Sequence, residues 1–293
     1  MRYVLENDTL RVEIDSFGAE LKSVKRKSDD KEYMWYADKK YWGRTSPVLF
    51  PFVGNCRNKE YRYGGKTYAI GQHGFARDME HTMESKTEDT IWFSLHSDEE
   101  TVKKYPFAFV LKIGYKLAGN ELKVMWKVEN PDTKTLYFSI GAHPAFLCPF
   151  NGEENKLGYG LQFAGLKEVH HHGNTPDTGL AVMSEDIVIP LEDEKVYFTP
   201  GFFDRCTYMV EGKQTGEVSL VTPDGKPYVT MDFDAPLFAI WSPEGKDAPF
   251  VCIEPWYGRC DADDFEGTLE ERAYENAVEP EQAFEASYSI RYL

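Results

Sequence analysis

Apolar residues recur at every second position along most of this chain. Leu10, Val12 and Ile14 alternate with Arg11 and Glu13. Phe109, Leu111, Ile113, Tyr115 and Leu117 alternate with Val110, Lys112, Gly114 and Lys116, and after Gly119-Asn120 the rhythm resumes at Leu122, Val124, Trp126 and Val128. Successive side chains of a strand point to opposite faces, so this period predicts half-buried strands. Two such runs about a Gly-Asn pair predict a long antiparallel hairpin. Ile91, Phe93 and Leu95 predict another strand, as do Val229, Met231 and Phe233, and the chain closes with Phe284, Ala286, Tyr288, Ile290 and Tyr292 on one face. Helical spacing is scarce. Residues 37–42 and 269–277 predict a turn or two each, with Pro280 ending the second. The polar stretch 169–186 (VHHHGNTPDTGLAVMSED) reads as a long surface loop. So many short strands exceed one sheet, and the expected fold is all-β: a large antiparallel β-sandwich with few short helices, in one domain spanning residues 1–293.

Composition narrows the function classes. The formal net charge is −16, with 33 basic and 49 acidic residues, which argues against a nucleic-acid partner because phosphate backbones are held by clustered Lys and Arg. No segment reaches the roughly 18 consecutive apolar residues of a membrane-spanning helix. The opening MRYVLENDTLRVEID has no apolar core of a secretory signal. The five cysteines, Cys56, Cys148, Cys206, Cys252 and Cys260, form no C-x-x-C pair, a usage that fits reduced thiols and a cytoplasmic location. Phosphate-loop, dinucleotide, nucleophile-elbow and H-E-x-x-H signatures are all absent from the sequence, which argues against nucleotide hydrolysis, dinucleotide redox chemistry, serine hydrolysis and zincin proteolysis.

Three segments place polar groups where a strand pattern expects small or apolar ones. The first, Gln72-His73-Gly74-Phe75-Ala76-Arg77-Asp78, sets an imidazole and a guanidinium around a glycine. The second, Ser139-Ile140-Gly141-Ala142-His143-Pro144-Ala145-Phe146, follows a strand expected over residues 136–140. In the third, Phe250-Val251-Cys252-Ile253-Glu254-Pro255-Trp256, one carboxylate ends an otherwise apolar strand. A single buried histidine is more often a satisfied core residue than a catalyst. Glu254 is harder to explain that way, because a carboxylate in such surroundings is costly unless it is paired or tuned, and desolvation raises its pKa toward the range of a general base. His170-His171-His172 suggests a metal cluster only superficially, since adjacent side chains of an extended segment diverge. Of Arg44 and Arg57, Arg44 stands beside the apolar run 47–52 and is the better candidate to line a pocket.

Together these segments resemble the aldose 1-epimerase (galactose mutarotase-like) family, in particular a bacterial branch associated with lactose operons. The resemblance is carried, in order, by GAEL, EYMWYAD, RTSPVLFPFVG, QHGFARD, YPFAF, SIGAHPAF, FAIWSP and PFVCIEPWYG, which run from Gly18 to Gly258. It implies a supersandwich with a sugar held in an open cleft on one sheet. It places the catalytic carboxylate on Glu254 and the paired histidines on His73 and His143. Arg44, Arg77, Asp204 and Trp256 follow as substrate-binding residues, with Trp42, Phe75 and Phe146 as further ring platforms. The implied activity interconverts the α and β anomers of a hexose by ring opening and reclosure, for which one base and one acid are sufficient, so no cofactor and no metal are expected. Glu254 would act as base at the C1 hydroxyl, His143 as acid at the ring oxygen, and His73 as orienter or donor. Arg44 and Arg77 would hold hydroxyls, or the phosphate of a hexose 6-phosphate. The expected partner is a small sugar, with no nucleic acid and no membrane, for a monomer or weak homodimer. A non-catalytic carbohydrate-binding or sensing protein would share the sandwich and the aromatics. A glycoside hydrolase would need two carboxylates, and here only Asp204 stands as a second.

Overall fold

The computed structural model describes residues 1–293 as an assembly of antiparallel sheets. A nine-stranded sheet contains the expected hairpin, Val110–Ala118 against Glu121–Glu129, joined by a two-residue turn in which Gly119 takes φ +57°. It also holds the strands Thr90–His96, Pro227–Phe233 and Ala283–Tyr292. An eight-stranded sheet lies opposite, built on the central pair Leu237–Trp241 and Phe250–Tyr257. Alternate residues of both sheets, such as Ile113, Tyr115 and Val124 from one and Ile240, Val251 and Ile253 from the other, meet in a core cluster of 60 buried residues. This burial is the main stabilising term, and the polar partners in the alternation are what remain on the outer faces. No helix is long and apolar enough to cross a membrane. All five cysteines are free and buried.

The departures from expectation have local causes. Residues 37–42 make one turn, the amides of Tyr41 and Trp42 both donating to the Asp38 carbonyl at 3.0 Å, and no helix. Residues 269–277 form only the 3₁₀ turn Leu269–Glu271 before Asn276–Val278 pairs with Leu136–Phe138. The one α-helix, Glu99–Lys104, escapes a search for apolar periodicity because it buries little. Its start is fixed by Asp98, whose carboxylate accepts the amides of Glu100 and Thr101, and lysines occupy its last turn. The stretch 169–186 is no surface loop. Glu168–Asn174 and Ala181–Pro190 pair as a hairpin at the end of the eight-stranded sheet, and only the tip between them lacks ladder bonds. His171 is buried while His170 and His172 are partly exposed, the divergence expected of neighbours on a strand.

Candidate active site

The strand Phe250–Tyr257 has two faces with different tasks. Val251 and Ile253 face the main core. Phe250 and Cys252 join an apolar cluster with Trp35, Ala145 and Ala248, and Trp256 joins a second with Leu49, Ala239 and Met209. Glu254 lies between these two clusters, in the middle of the strand rather than at its end. The strand continues through Pro255 because its partner on one side is interrupted at His143-Pro144, where a residue without an N–H is tolerated. Gly141 pairs with Trp256 on one side of that interruption and Ala145 with Cys252 on the other. The register is unbroken across it, which sets His143 directly opposite Glu254. His143 Nε2 is 3.4 Å from Glu254 Oε2. Small partners make room: Ala239 pairs with Glu254, and a Cβ at Gly141 would lie 2.6 Å from the Trp256 ring.

His73 reaches the same place by a strained turn. Its φ is +62° and that of Gly74 is +68°, a pair of left-handed residues that carries Gly74 onto Phe50, where a Cβ would come 2.3 Å from the Phe50 oxygen. The turn is held by Gly54 from both ends. The His73 amide donates to the Gly54 carbonyl at 2.8 Å, and the Gly54 amide donates to His73 Nδ1 at 3.0 Å. A neutral ring with Nδ1 as acceptor carries its proton on Nε2. His73 and His143 meet edge to face with ring centroids 5.7 Å apart. Trp42 stacks on His143 at 4.6 Å and Trp241 meets it edge-on at 5.3 Å. The Trp35 indole fixes Trp42 by donating to its carbonyl at 2.9 Å.

These groups line a cleft of about 440 Å³, together with Arg77, Trp256, Asn174, Asp177, Glu244 and others. Burial holds Glu254 well above the usual carboxylate range, opposed weakly by the Trp256 indole, although Glu254 Oε2 and Trp256 Nε1 both lack a hydrogen-bond partner. Burial also lowers His143 to about 3, with Arg77 adding to the effect. His73 is lowered well below its usual value by burial, then by Arg77, His143 and Arg44. Burial thus favours the uncharged forms of both groups, a carboxylic acid facing a neutral imidazole rather than an ion pair. Between them they hold one transferable proton. His143, Cys252 and Glu254 place potential metal-ligand atoms within 4.8 Å of one another. Cys252 is fully buried outside the cleft lining and desolvation keeps its thiol strongly protonated, so this donor set suits proton transfer better than metal binding.

The arginines flank the histidines. Arg77 lines the cleft and donates from Nη2 to the Gln72 carbonyl at 2.8 Å, while its buried Nε makes no hydrogen bond and lies 3.8 Å from Asp78 Oδ2. Burial and the neighbouring Arg44 bring it to about 10, still protonated at neutral pH. Arg44 is outside the cleft lining and donates to Asp78 at 2.8 Å. Asp204 is not brought to this site. It lines a separate cavity with Lys156 and Phe203, and its Oδ1 accepts the Gly245 amide at 3.0 Å. Phe146 is buried in the core and Phe75 packs beside Tyr105 and Phe109, so neither is a platform. Trp241 stands in the FAIWSP stretch that carries part of the family resemblance, but no polar group there marks it as a cleft residue. Asn174 and Asp177 had no such signal because their stretch reads as loop.

Comparison with known proteins shows the family. The family model for aldose 1-epimerase matches residues 1–261, a span that includes all three central residues. The chain belongs to the aldose 1-epimerase family. The chromosomal LacX protein of Lactococcus lactis subsp. lactis is 30% identical over 300 residues, covering 100% of both chains. The crystal structure of a galactose mutarotase related enzyme from Lactobacillus acidophilus superposes with a TM-score of 0.94 at 36% identity, over 100% of this chain and 97% of that one. A galactose mutarotase-like protein from Lactobacillus casei ATCC 334 gives 0.91 at 29% identity, with 100% of both chains covered. As an aldose 1-epimerase family member the chain is a sugar isomerase of the epimerase or mutarotase type.

Proposed function

We propose that this protein is a mutarotase that interconverts the α and β anomers of a neutral hexose, with Glu254 and His143 as its proton-transfer pair. The observation that carries this reading is the buried 3.4 Å approach of His143 Nε2 to Glu254 Oε2 within a sugar-sized cleft. Hydroxyls of a bound sugar donate to the carboxylate, offset its desolvation and move the shared proton to His143. Glu254 then takes the proton of the C1 hydroxyl as the C1–ring-oxygen bond breaks, and His143 gives its proton to the departing ring oxygen. The product is the open-chain aldehyde facing a protonated Glu254 and a neutral His143. After rotation about C1–C2 the ring oxygen attacks the other face of C1, returning its proton to His143, while the C1 oxygen recovers a proton from Glu254. The pair holds one proton throughout, so none has to enter or leave the cleft. His73, with Nδ1 occupied by Gly54 and its proton on Nε2, holds a sugar oxygen, and Arg77 orients a hydroxyl.

A hexose 6-phosphate is the second reading, favoured by Arg77, whose buried Nε makes no hydrogen bond, beside Arg44. Against it, Asp78 already bonds Arg44, and Asp177 and Glu244 line the same cleft. Polarimetry of freshly dissolved α-glucose, α-galactose and α-glucose 6-phosphate tests both. Acceleration of a free hexose supports the proposal, preference for the phosphate selects the second reading, and no acceleration over buffer for any of the three sinks both.

A further inference from the structure

A set of buried charges lies behind the site, unused by the proton-transfer pair. The Arg272 side chain is 2% exposed and distributes its donors over several separate segments. Its Nε donates to Asp261 Oδ1 at 2.7 Å and its Nη2 to the Arg259 carbonyl at 2.8 Å. Its Nη1 donates to Ser139 Oγ and to Glu275 Oε2, each at 3.0 Å. The guanidinium also lies 4.8 Å over the Phe52 ring. Three of these contacts lead to the three site residues. Ser139 opens the segment that carries His143, and its own amide donates to the Pro51 carbonyl at 2.8 Å. Arg259 follows the strand that carries Glu254. Asp261 donates its amide to the Asn55 carbonyl at 3.0 Å, next to Gly54, whose amide and carbonyl hold His73.

We infer that Arg272 is a positioning residue for the sugar reaction, one guanidinium that braces the turn bearing His73 against the paired strands bearing His143 and Glu254. A buried ion cluster adds little net stability, because desolvation offsets most of the Coulomb gain. What it does supply is direction. The planar guanidinium fork meets its partners only at set angles, which a lysine ammonium cannot reproduce. The His143 and Glu254 segments pair in one register that is interrupted only at His143-Pro144, whereas His73 stands on a strained turn outside that ladder. Arg272 joins them from outside the cleft lining, at the edge of a separate cavity of about 280 Å³.

The kinetic part of the test rests on the mutarotase reading; a second part does not. Arg272→Lys keeps the charge and loses the fork. The expected result is a folded protein, by cooperative urea unfolding and near-ultraviolet circular dichroism, with kcat on α-glucose lowered about tenfold to hundredfold and KM within about threefold, since small misplacements of reacting groups cost on that order. The ring nitrogen resonances of His73 and His143, which need no substrate, are expected to shift. A merely structural residue would lower Tm and leave kcat per folded molecule and both sets of resonances unchanged at 25 °C, and that result overturns the inference. Should Arg272→Lys fail to fold, Ser139→Ala removes a single tie and carries the same readouts, with a shift at His143 expected and its absence counting against Arg272. If wild-type protein shows no mutarotation, the function reading fails and the histidine resonances still decide the role of Arg272.

Discussion

Glu254→Gln separates chemistry from packing, because the amide keeps the side chain's volume and removes its exchangeable charge. Loss of one member of a general acid–base pair costs about 10²- to 10⁴-fold in rate, or about 3 to 5 kcal/mol of transition-state stabilisation. The structure also fixes a stability signature. The folded pKa of Glu254 is raised by burial. Above the unfolded value of about 4.3 the native state therefore retains a proton that the unfolded chain has released, and stability falls as pH rises, by at most about 1.4 kcal/mol per pH unit. His143 acts in the opposite sense. Burial lowers it to about 3, so below about pH 6.5 the unfolded chain takes up a proton that the native state refuses, and stability rises with pH between those values. From about pH 4.3 to 6.5 the two slopes oppose one another. Removing the carboxyl exposes the His143 slope alone. The unfolding free energy of Glu254→Gln minus that of wild type should thus rise with pH across this window and continue to rise until the wild-type carboxyl ionises. Urea melts at several pH values, with equal m-values in both proteins, and polarimetry at each pH measure the two effects. Activity within about tenfold of wild type, or a stability difference that does not change with pH, would refute the reasoning.

Two further substitutions probe the walls of the cleft. Arg77→Gln should raise KM for α-glucose by about tenfold to hundredfold with a smaller change in kcat, the effect of losing one charge-assisted hydrogen bond. Michaelis kinetics on the free hexose and its 6-phosphate check this, and a much larger loss on the phosphate would shift the substrate assignment. Gly141→Ala places a methyl 2.6 Å from Trp256 Cδ1 and 3.2 Å from Val53 Cγ2. It should cost about 1 to 3 kcal/mol and reduce activity by displacing Trp256, read by thermal melting and mutarotation; a full-activity variant with unchanged Tm would mean that this side of the cleft yields easily.

The sequence by itself determined the strands whose alternation is complete. The hairpin 110–129 is legible because one face is sealed in the core and the other is wet, so its period of two follows directly from burial. It also marked Glu254, since a lone carboxylate among Val251, Cys252, Ile253 and Trp256 is expensive wherever it folds. The motif His143-Pro144 was visible, and the resemblance implied a role for it, but not what its imidazole would face. Only strand pairing decided that the partner of Phe250–Tyr257 keeps one register across the proline and so sets the imidazole opposite the carboxylate. Tertiary structure likewise decided that Asp204 turns into another cavity, that Asn174 and Asp177 belong to a hairpin at the cleft, and that Trp42 and Trp241 enclose His143. The physical reason is the same in each case. Burial and periodicity are local quantities that a sequence records residue by residue, whereas a catalytic distance is a difference between segments far apart in the chain, fixed by register and by buried contacts such as those of Arg272.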